Sequence, residues 1–201
     1  MRPIVLCQRP VAARVASAVV LLALASCGGG GGDAASDAEA TVSEAESAIA
    51  AVPAQSSCAI PDFAAAALAA VNQRRAAGAT CGSRGSFAAA APLRWCTPLA
   101  EASAAHSADM ATKNYFSHTS ADGRTMTDRV NATGYAWASL GENIAAGYPD
   151  IERVVEGWMR SDGHCANLMN PAFDEMGLAC VQGAAGSAYG NYWTQNLALK
   201  R

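Results

Sequence analysis

The sequence lacks most of the short signatures that would settle a function locally. It has three histidines, and no His-Glu-x-x-His pair places two of them on one helix face, so no zinc site is specified by spacing. No serine sits in a Gly-x-Ser-x-Gly elbow, which removes the local mark of an α/β-hydrolase nucleophile. The cysteines never fall as Cys-x-x-Cys, so neither a zinc ribbon nor a thioredoxin-type redox pair is indicated. A basic excess is also missing, with 14 Lys and Arg against 17 Asp and Glu. From residue 58 onward 11 basic and 12 acidic residues remain, a near-neutral balance that argues against a nucleic-acid groove or a polybasic membrane surface. No apolar run reaches the roughly 20 residues a membrane helix needs.

The first quarter is not domain-like. Arg2, Arg9 and Arg14 precede the apolar run from Val15 to Ala25, and Leu24-Ala25-Ser26-Cys27 supplies a small-residue processing site ending in cysteine. This pattern resembles the lipobox of bacterial lipoproteins, which implies cleavage before Cys27 and lipid on its thiol. The leader is therefore assigned to residues 1–27. Residues 28–57 begin with five glycines and carry Asp33, Asp37, Glu39, Glu44 and Glu46 without one basic residue. Such a stretch buries too little apolar surface to offset its ordering entropy and reads as an acidic tether. One domain, residues 58–201, is left, expected as a monomer whose only membrane contact is the lipid on Cys27.

Five cysteines lie in that domain: Cys58, Cys81, Cys96, Cys165 and Cys180. An exported chain meets an oxidising environment, so one or two disulfides are expected with one thiol over. A helix from Asp62 to Ala77 would be roughly 24 Å long, which disfavours a Cys58–Cys81 bond across its ends. The favoured pairs are Cys81–Cys165 and Cys58–Cys180, with Cys165–Cys180 as the rival. Cys96 is the candidate buried free thiol.

Residues Asp62 to Ala77 are alanine-rich, with Leu68 and Val71 on one side, Arg74 and Arg75 suiting the dipole near the end, and Gly78 as the stop. Thr97-Pro98 opens a second helix to Asn114, Thr97 being the expected N-cap. Leu99, Ala102, His106 and Met110 share one face of it, so His106 is expected either as a core histidine bonded to a backbone or carboxylate partner or as a supporting group behind a pocket. His118 instead falls in an irregular segment between helices, where functional side chains concentrate. Thr125 to Asn131 reads as a short helix with Met126 and Val130 inward.

Around Gly141-Glu142-Asn143-Ile144-Ala145 the pattern is extended, and Glu142 and Ile144, two apart, point to the same face. A carboxylate looking where an isoleucine looks needs a partner. Asp150 caps a helix in which Ile151, Val154, Val155, Trp158 and Met159 follow the i, i+3, i+4, i+7, i+8 pattern. Gly163 is expected to break it before a short turn or helix, His164 to Asn170. Glu175 to Val181 and Tyr192 to Leu197 read as an antiparallel strand pair. With Glu142 to Ala145 as a third strand, helices flank a small sheet, which is an α+β class.

These residues together resemble the CAP superfamily of cysteine-rich secretory proteins, antigen 5 and pathogenesis-related proteins, also called the SCP domain, in its bacterial form. The likeness runs through Leu93-x-Trp95, His106-Ser107-x-Asp109-Met110, Phe116-Ser117-His118, Gly141-Glu142-Asn143-Ile144, Gly157-Trp158-Met159, Gly163-His164, Asn167-x-Met169-x-Pro171 and Tyr192-Trp193-Thr194-Gln195. It implies a three-layer α-β-α sandwich, its small sheet mainly antiparallel, with a central cleft. In eukaryotic members that cleft holds two histidines and two acidic residues, and a divalent metal, often zinc, is associated with it. By this resemblance His118 matches the first histidine and Glu142 one carboxylate. Tyr192 replaces the second histidine and Ser161 the second acid, so His164 is the candidate for the missing imidazole.

His118, Glu142 and His164 are thus the expected catalytic set and the expected ligands of zinc or another divalent cation. The leading expectation is an exported, lipid-anchored domain binding a small apolar molecule, glycan or peptide in its cleft at the cell envelope. An envelope hydrolase, metal-dependent or acid/base, and an adhesion domain with a structural cleft network are the alternatives.

Overall fold

A computed structural model describes Cys7 and residues 54–201. Cys27, the rest of the leader and most of the expected tether lie outside the described residues. The tether's last residues belong to the folded unit. Ala54–Ser56 form a 3-10 turn, Ser57 bridges Cys180, and Cys58 donates its N–H to the Cys180 carbonyl at 3.1 Å.

The described residues form five α-helices: α1 (Phe63–Ala77), α2 (Thr97–Lys113), α3 (Met126–Ala132), α4 (Ile151–Met159) and α5 (Asp162–Met169). Two short strands, β1 (Ala79–Thr80) and β2 (Ser86–Phe87), pair antiparallel beside the main sheet. That sheet contains β3 (Arg94–Trp95), β4 (Trp137–Ala146), β5 (Glu175–Gln182) and β6 (Asn191–Lys200), in the order β3-β5-β6-β4. Only β3 runs parallel to its neighbour, so the sheet is mainly antiparallel, as expected.

Strand alternation divides the sheet into two faces. Met176, Leu178, Cys180, Trp193 and Leu197 join Phe63, Ala67 and Val71 of α1 and Val154, Val155 and Trp158 of α4 in the largest core. On the other face, Tyr192, Thr194, Asn196 and Ala198 meet α2. Ser107 bonds Thr194 at 2.8 Å, and Asn196 donates to Ser103 at 2.8 Å. Helices therefore cover both faces, giving the α-β-α sandwich. Close contact with α2 explains Gly177, because a Cβ there would lie 2.0 Å from the Ala100 backbone nitrogen.

Several boundaries differ from expectation for local reasons. Cys96, not Thr97, is the N-cap of α2, and Thr97 is already helical with Pro98 in the first turn. Gly163 does not break a helix; it lies in the first turn of α5, after Ser161 has ended the preceding segment in extended backbone. The third strand runs from Trp137 to Ala146 rather than over four residues, because pairing with β6 carries it through a polar, glycine-containing sequence. Thr125 caps α3 in a full capping box with Asp128.

Disulfides Cys58–Cys180 and Cys81–Cys165 join the favoured pairs. Cys96 is not the free thiol expected. It is bonded to Cys7, with Cα atoms 4.5 Å apart, a partner that a count restricted to residues 58–201 leaves out. Among the described residues no helix is long and apolar enough to cross a membrane.

Candidate functional site

The site is assembled at the edge strand β4 from three directions. Glu142 and Ile144 point to the same face, and the Glu142 side chain is 3% exposed. The loop after α2 brings His118, whose Nδ1 lies 2.8 Å from Glu142 Oε1. From α3, Arg129, itself 1% exposed, donates to Glu142 Oε2 at 2.6 Å. The carboxylate's two oxygens are thereby divided between a guanidinium and an imidazole. An ionised carboxylate can only accept, so Nδ1 of His118 is the donor in this contact and Nε2 is the ring nitrogen turned away from Glu142.

Arg129 does more than neutralise Glu142. It also donates to the His118 carbonyl at 3.1 Å, to Ser120 Oγ at 3.0 Å and to the Arg124 carbonyl at 3.1 Å, so one side chain holds both the carboxylate and the loop carrying the histidine. The sequence reading did not single it out. A signal existed: Met126, Arg129 and Val130 stand at i, i+3 and i+4, which puts the arginine on the helix's apolar face, where a buried charge needs a buried partner.

His106 is the core histidine expected. It is fully buried, with Nε2 2.9 Å from the Ser117 carbonyl and Nδ1 3.4 Å from Ser120 Oγ. Burial pushes its pKa below the usual value, and Arg129 adds to this against the opposing pull of Glu142. Asp109 braces the same loop. Burial raises its carboxyl pKa, but hydrogen bonds from Lys113, Tyr115 and the Ala121 N–H outweigh this and hold it at about 2.

His164, in α5, approaches from the far side of β4. Its pKa is lowered by burial first and then by the charge of His118, so the two imidazoles are electrostatic neighbours. Nearby, Asn167 donates to the Glu142 carbonyl at 3.1 Å, Trp158 Nε1 to the Ile144 carbonyl at 3.2 Å, and Asn143 to the His164 carbonyl at 3.3 Å. These bonds fasten α4 and α5 to the outer edge of β4.

A cleft of about 300 Å³, open to solvent, runs along this edge. Phe116, Tyr148, Trp158 and Tyr189 supply its aromatic lining, Ile144–Ala146 its aliphatic part, and Ser161 and His164 its polar groups. His118 and Glu142 stand beside the lining rather than in it. Tyr192, at the family's second histidine position, is fully buried and donates its hydroxyl to Asn114 Oδ1 at 3.3 Å. The structure thus joins His118 to Glu142, sets His164 in the adjacent cleft within electrostatic reach of His118, and leaves Tyr192 in the core.

The donor set does not fit a three-ligand zinc site. Both Glu142 oxygens are engaged, and surrendering Oε2 would strand the buried Arg129. Among the described residues, the one group of three metal-binding side chains whose donor atoms converge within 4.8 Å is Cys7, Cys96 and Glu175, whose sulfurs form a disulfide. Glu142 is instead placed as the partner that orients the His118 ring.

Residues 68–197 match the cysteine-rich secretory protein family, CAP. The uncharacterized protein YkwD of Bacillus subtilis is 37% identical over 109 residues, 54% of this chain and 40% of that protein. The uncharacterized membrane protein YlbC of the same organism is 37% identical over 111 residues, 55% and 30% of the two chains. The chain therefore spans less than half the length of either curated relative. Among solved structures, an extracellular SCP-domain protein from Bacillus anthracis shows 34% identity and a TM-score of 0.49, covering 55% of this chain and 35% of its own. An outer surface protein from Borrelia burgdorferi shares the fold at 18% identity and a TM-score of 0.50, covering 56% and 80%. With the family pattern spanning well over half of the sequence and the sandwich and edge-strand site in place, the chain belongs to the cysteine-rich secretory protein (CAP) family.

Proposed function

We propose that the protein is an exported, lipid-anchored binding module whose cleft takes a small apolar molecule, glycan or peptide at the cell envelope. The observation that carries the binding reading is the cleft itself. Its lining is aromatic and aliphatic with a few polar groups, while the charged residues beside it are committed to one another. Native mass spectrometry of the exported protein tests this, with a co-purifying small molecule as the expected result. Replacing His118, whose side chain is 56% exposed, separates the readings without loss of fold. A binder keeps or loses ligand with no turnover at stake.

The His118–Glu142 contact favours one second reading, an acid/base hydrolase. Nε2 of His118 would take a proton from a water or substrate hydroxyl, Glu142 would stabilise the imidazolium, and His164 would be the nearby proton donor or acceptor. Loss of peptide or cell-wall hydrolysis in His118→Ala, with melting temperature unchanged, would establish it. Absence of any hydrolysis by the unaltered protein would dismiss it.

Lipid attachment at Cys27 entails cleavage just before it, which removes Cys7 and leaves Cys96 as a buried thiol in the mature protein. Supporting the anchor are the arginine-rich start, the short apolar run and the small residues before Cys27. Intact mass and thiol titration under denaturing conditions decide the matter: a diacylglyceryl adduct with one free thiol is expected. An intact N-terminus with no free thiol would refute the anchor.

A further inference from the structure

Among the described residues Phe116 and Tyr189 are the large hydrophobic side chains left most open to water, 46% and 42% exposed, and both line the cleft. Their rings contact each other at 6.0 Å between centroids, and Tyr189 is held from behind by an edge-on contact with buried Tyr192 at 5.8 Å. Tyr192 is anchored in turn by Asn114, the left-handed cap of α2. The exposed pair is therefore braced by the core. Two braced aromatic faces held in water invite a ligand that is itself flat and apolar on one side.

From these features we infer that the cleft recognises an uncharged sugar ring, stacked on Phe116 and Tyr189 with its hydroxyls directed to Ser161 and His164. This rests on the binding reading above and narrows its ligand class. Among the described residues no Asp, Glu, Lys or Arg lines the cleft, and burial favours neutral His164, so an ionic ligand finds no counter-charge there. At about 300 Å³ and open to solvent, the cleft stands at the small end of ligand sites, suited to one ring rather than to a lipid chain needing an enclosed tunnel. A peptide adding as a strand to β4 would need its outward carbonyls, but those of Glu142 and Ile144 are already taken by Asn167 and Trp158. A pyranose needs none of these. Its axial C–H face covers an aromatic ring, and its hydroxyls bond the few polar groups at the periphery.

The test is calorimetric titration of the full chain with four neutral disaccharides: chitobiose, cellobiose, maltose and lactose. N-acetyl-tetra-alanine amide and 1-decanol serve as the peptide and apolar probes. At least one disaccharide is expected to saturate, with affinity falling about tenfold or more in Phe116→Ala and in Tyr189→Ala and largely restored in Phe116→Tyr. Because both side chains are exposed, the melting temperatures should not move. Binding of the peptide or decanol alone would overturn the sugar inference and leave the binding reading standing. Saturation by none of the six probes would overturn the sugar inference, while ligand captured by native mass spectrometry would show whether the binding reading survives. A sugar that binds equally well to both alanine variants would also overturn the inference.

Discussion

Replacing Arg75 with methionine should cost the domain more than any substitution at its surface. Arg75 is fully buried in the last turn of α1, yet no carboxylate pairs with it among the described residues. Its guanidinium instead donates to four backbone carbonyls: Ala91 at 2.8 Å, Leu168 at 2.7 Å, Asn170 at 2.9 Å and Phe173 at 3.2 Å. Leu168 and Asn170 belong to the C-terminal end of α5, where carbonyls lack helical partners and the dipole is negative. The cation is thus neutralised by a helix end, and five fixed donors reach acceptors that one ammonium could not span. Hydrogen bonds to a charged group contribute about 1.5–3 kcal/mol each, but four on one head are not additive. The Leu168 and Phe173 bonds are sealed from water, and a stranded buried acceptor costs about 1–3 kcal/mol. Arg75→Met should therefore lose about 3–5 kcal/mol, or about 6–20 °C in Tm. Urea and thermal unfolding followed by circular dichroism measure this. Arg75→Lys should recover less than half. A loss below about 1 kcal/mol in the methionine variant would show that the four carbonyls are satisfied without the guanidinium, and the reasoning would fail.

Three further outcomes follow from the same structure. Arg129→Met leaves the Glu142 carboxylate buried with one partner and should cost about 3–5 kcal/mol by denaturant unfolding, whereas Arg129→Met combined with Glu142→Gln should recover part of that loss. Gly177→Ala drives a Cβ into the Ala100 backbone, which cannot swing aside as a side chain can. A loss of about 3 kcal/mol is expected, and a neutral result would mean that α2 slides freely on the sheet. Stability should fall on mild acidification, because His106 has its folded pKa lowered. The unfolded chain then binds the extra proton first, so stability is complete above about pH 6.5 and declines below it, by at most about 1.4 kcal/mol per pH unit from His106, with His164, also lowered by burial, adding to the slope in the same direction. His106→Gln should flatten that slope, whereas Asp109, held at about 2, should contribute its loss only below the usual aspartate range.

The two buried arginines show what could be read in the sequence and what could not. Arg75 stands four residues after Val71, on the apolar side of α1, and Arg129 occupies the same kind of position between Met126 and Val130. Periodicity places both facing inward. It cannot name what they meet, since Leu168 and Phe173 are more than ninety residues away and Glu142 comes from a different element. Reading Arg75 as a cation suited to its own helix dipole identified the right physics at the wrong helix.

Local pattern by itself determined much of the architecture. The 3.6-residue period of α4, the alternation in β5 and the proline that opens α2 yield helices around a small sheet, because each depends on residues within one or two turns. The shared face of Glu142 and Ile144, and the need of that carboxylate for a partner, were equally legible. Tertiary structure alone decided which partner it has, that Cys96 meets Cys7, and that Tyr192 belongs to the core. It also decided that Phe116 and Tyr189, separated by about half of the domain's length, share one cleft. These are contacts between distant segments, set by chain closure and packing complementarity, and no local period encodes them.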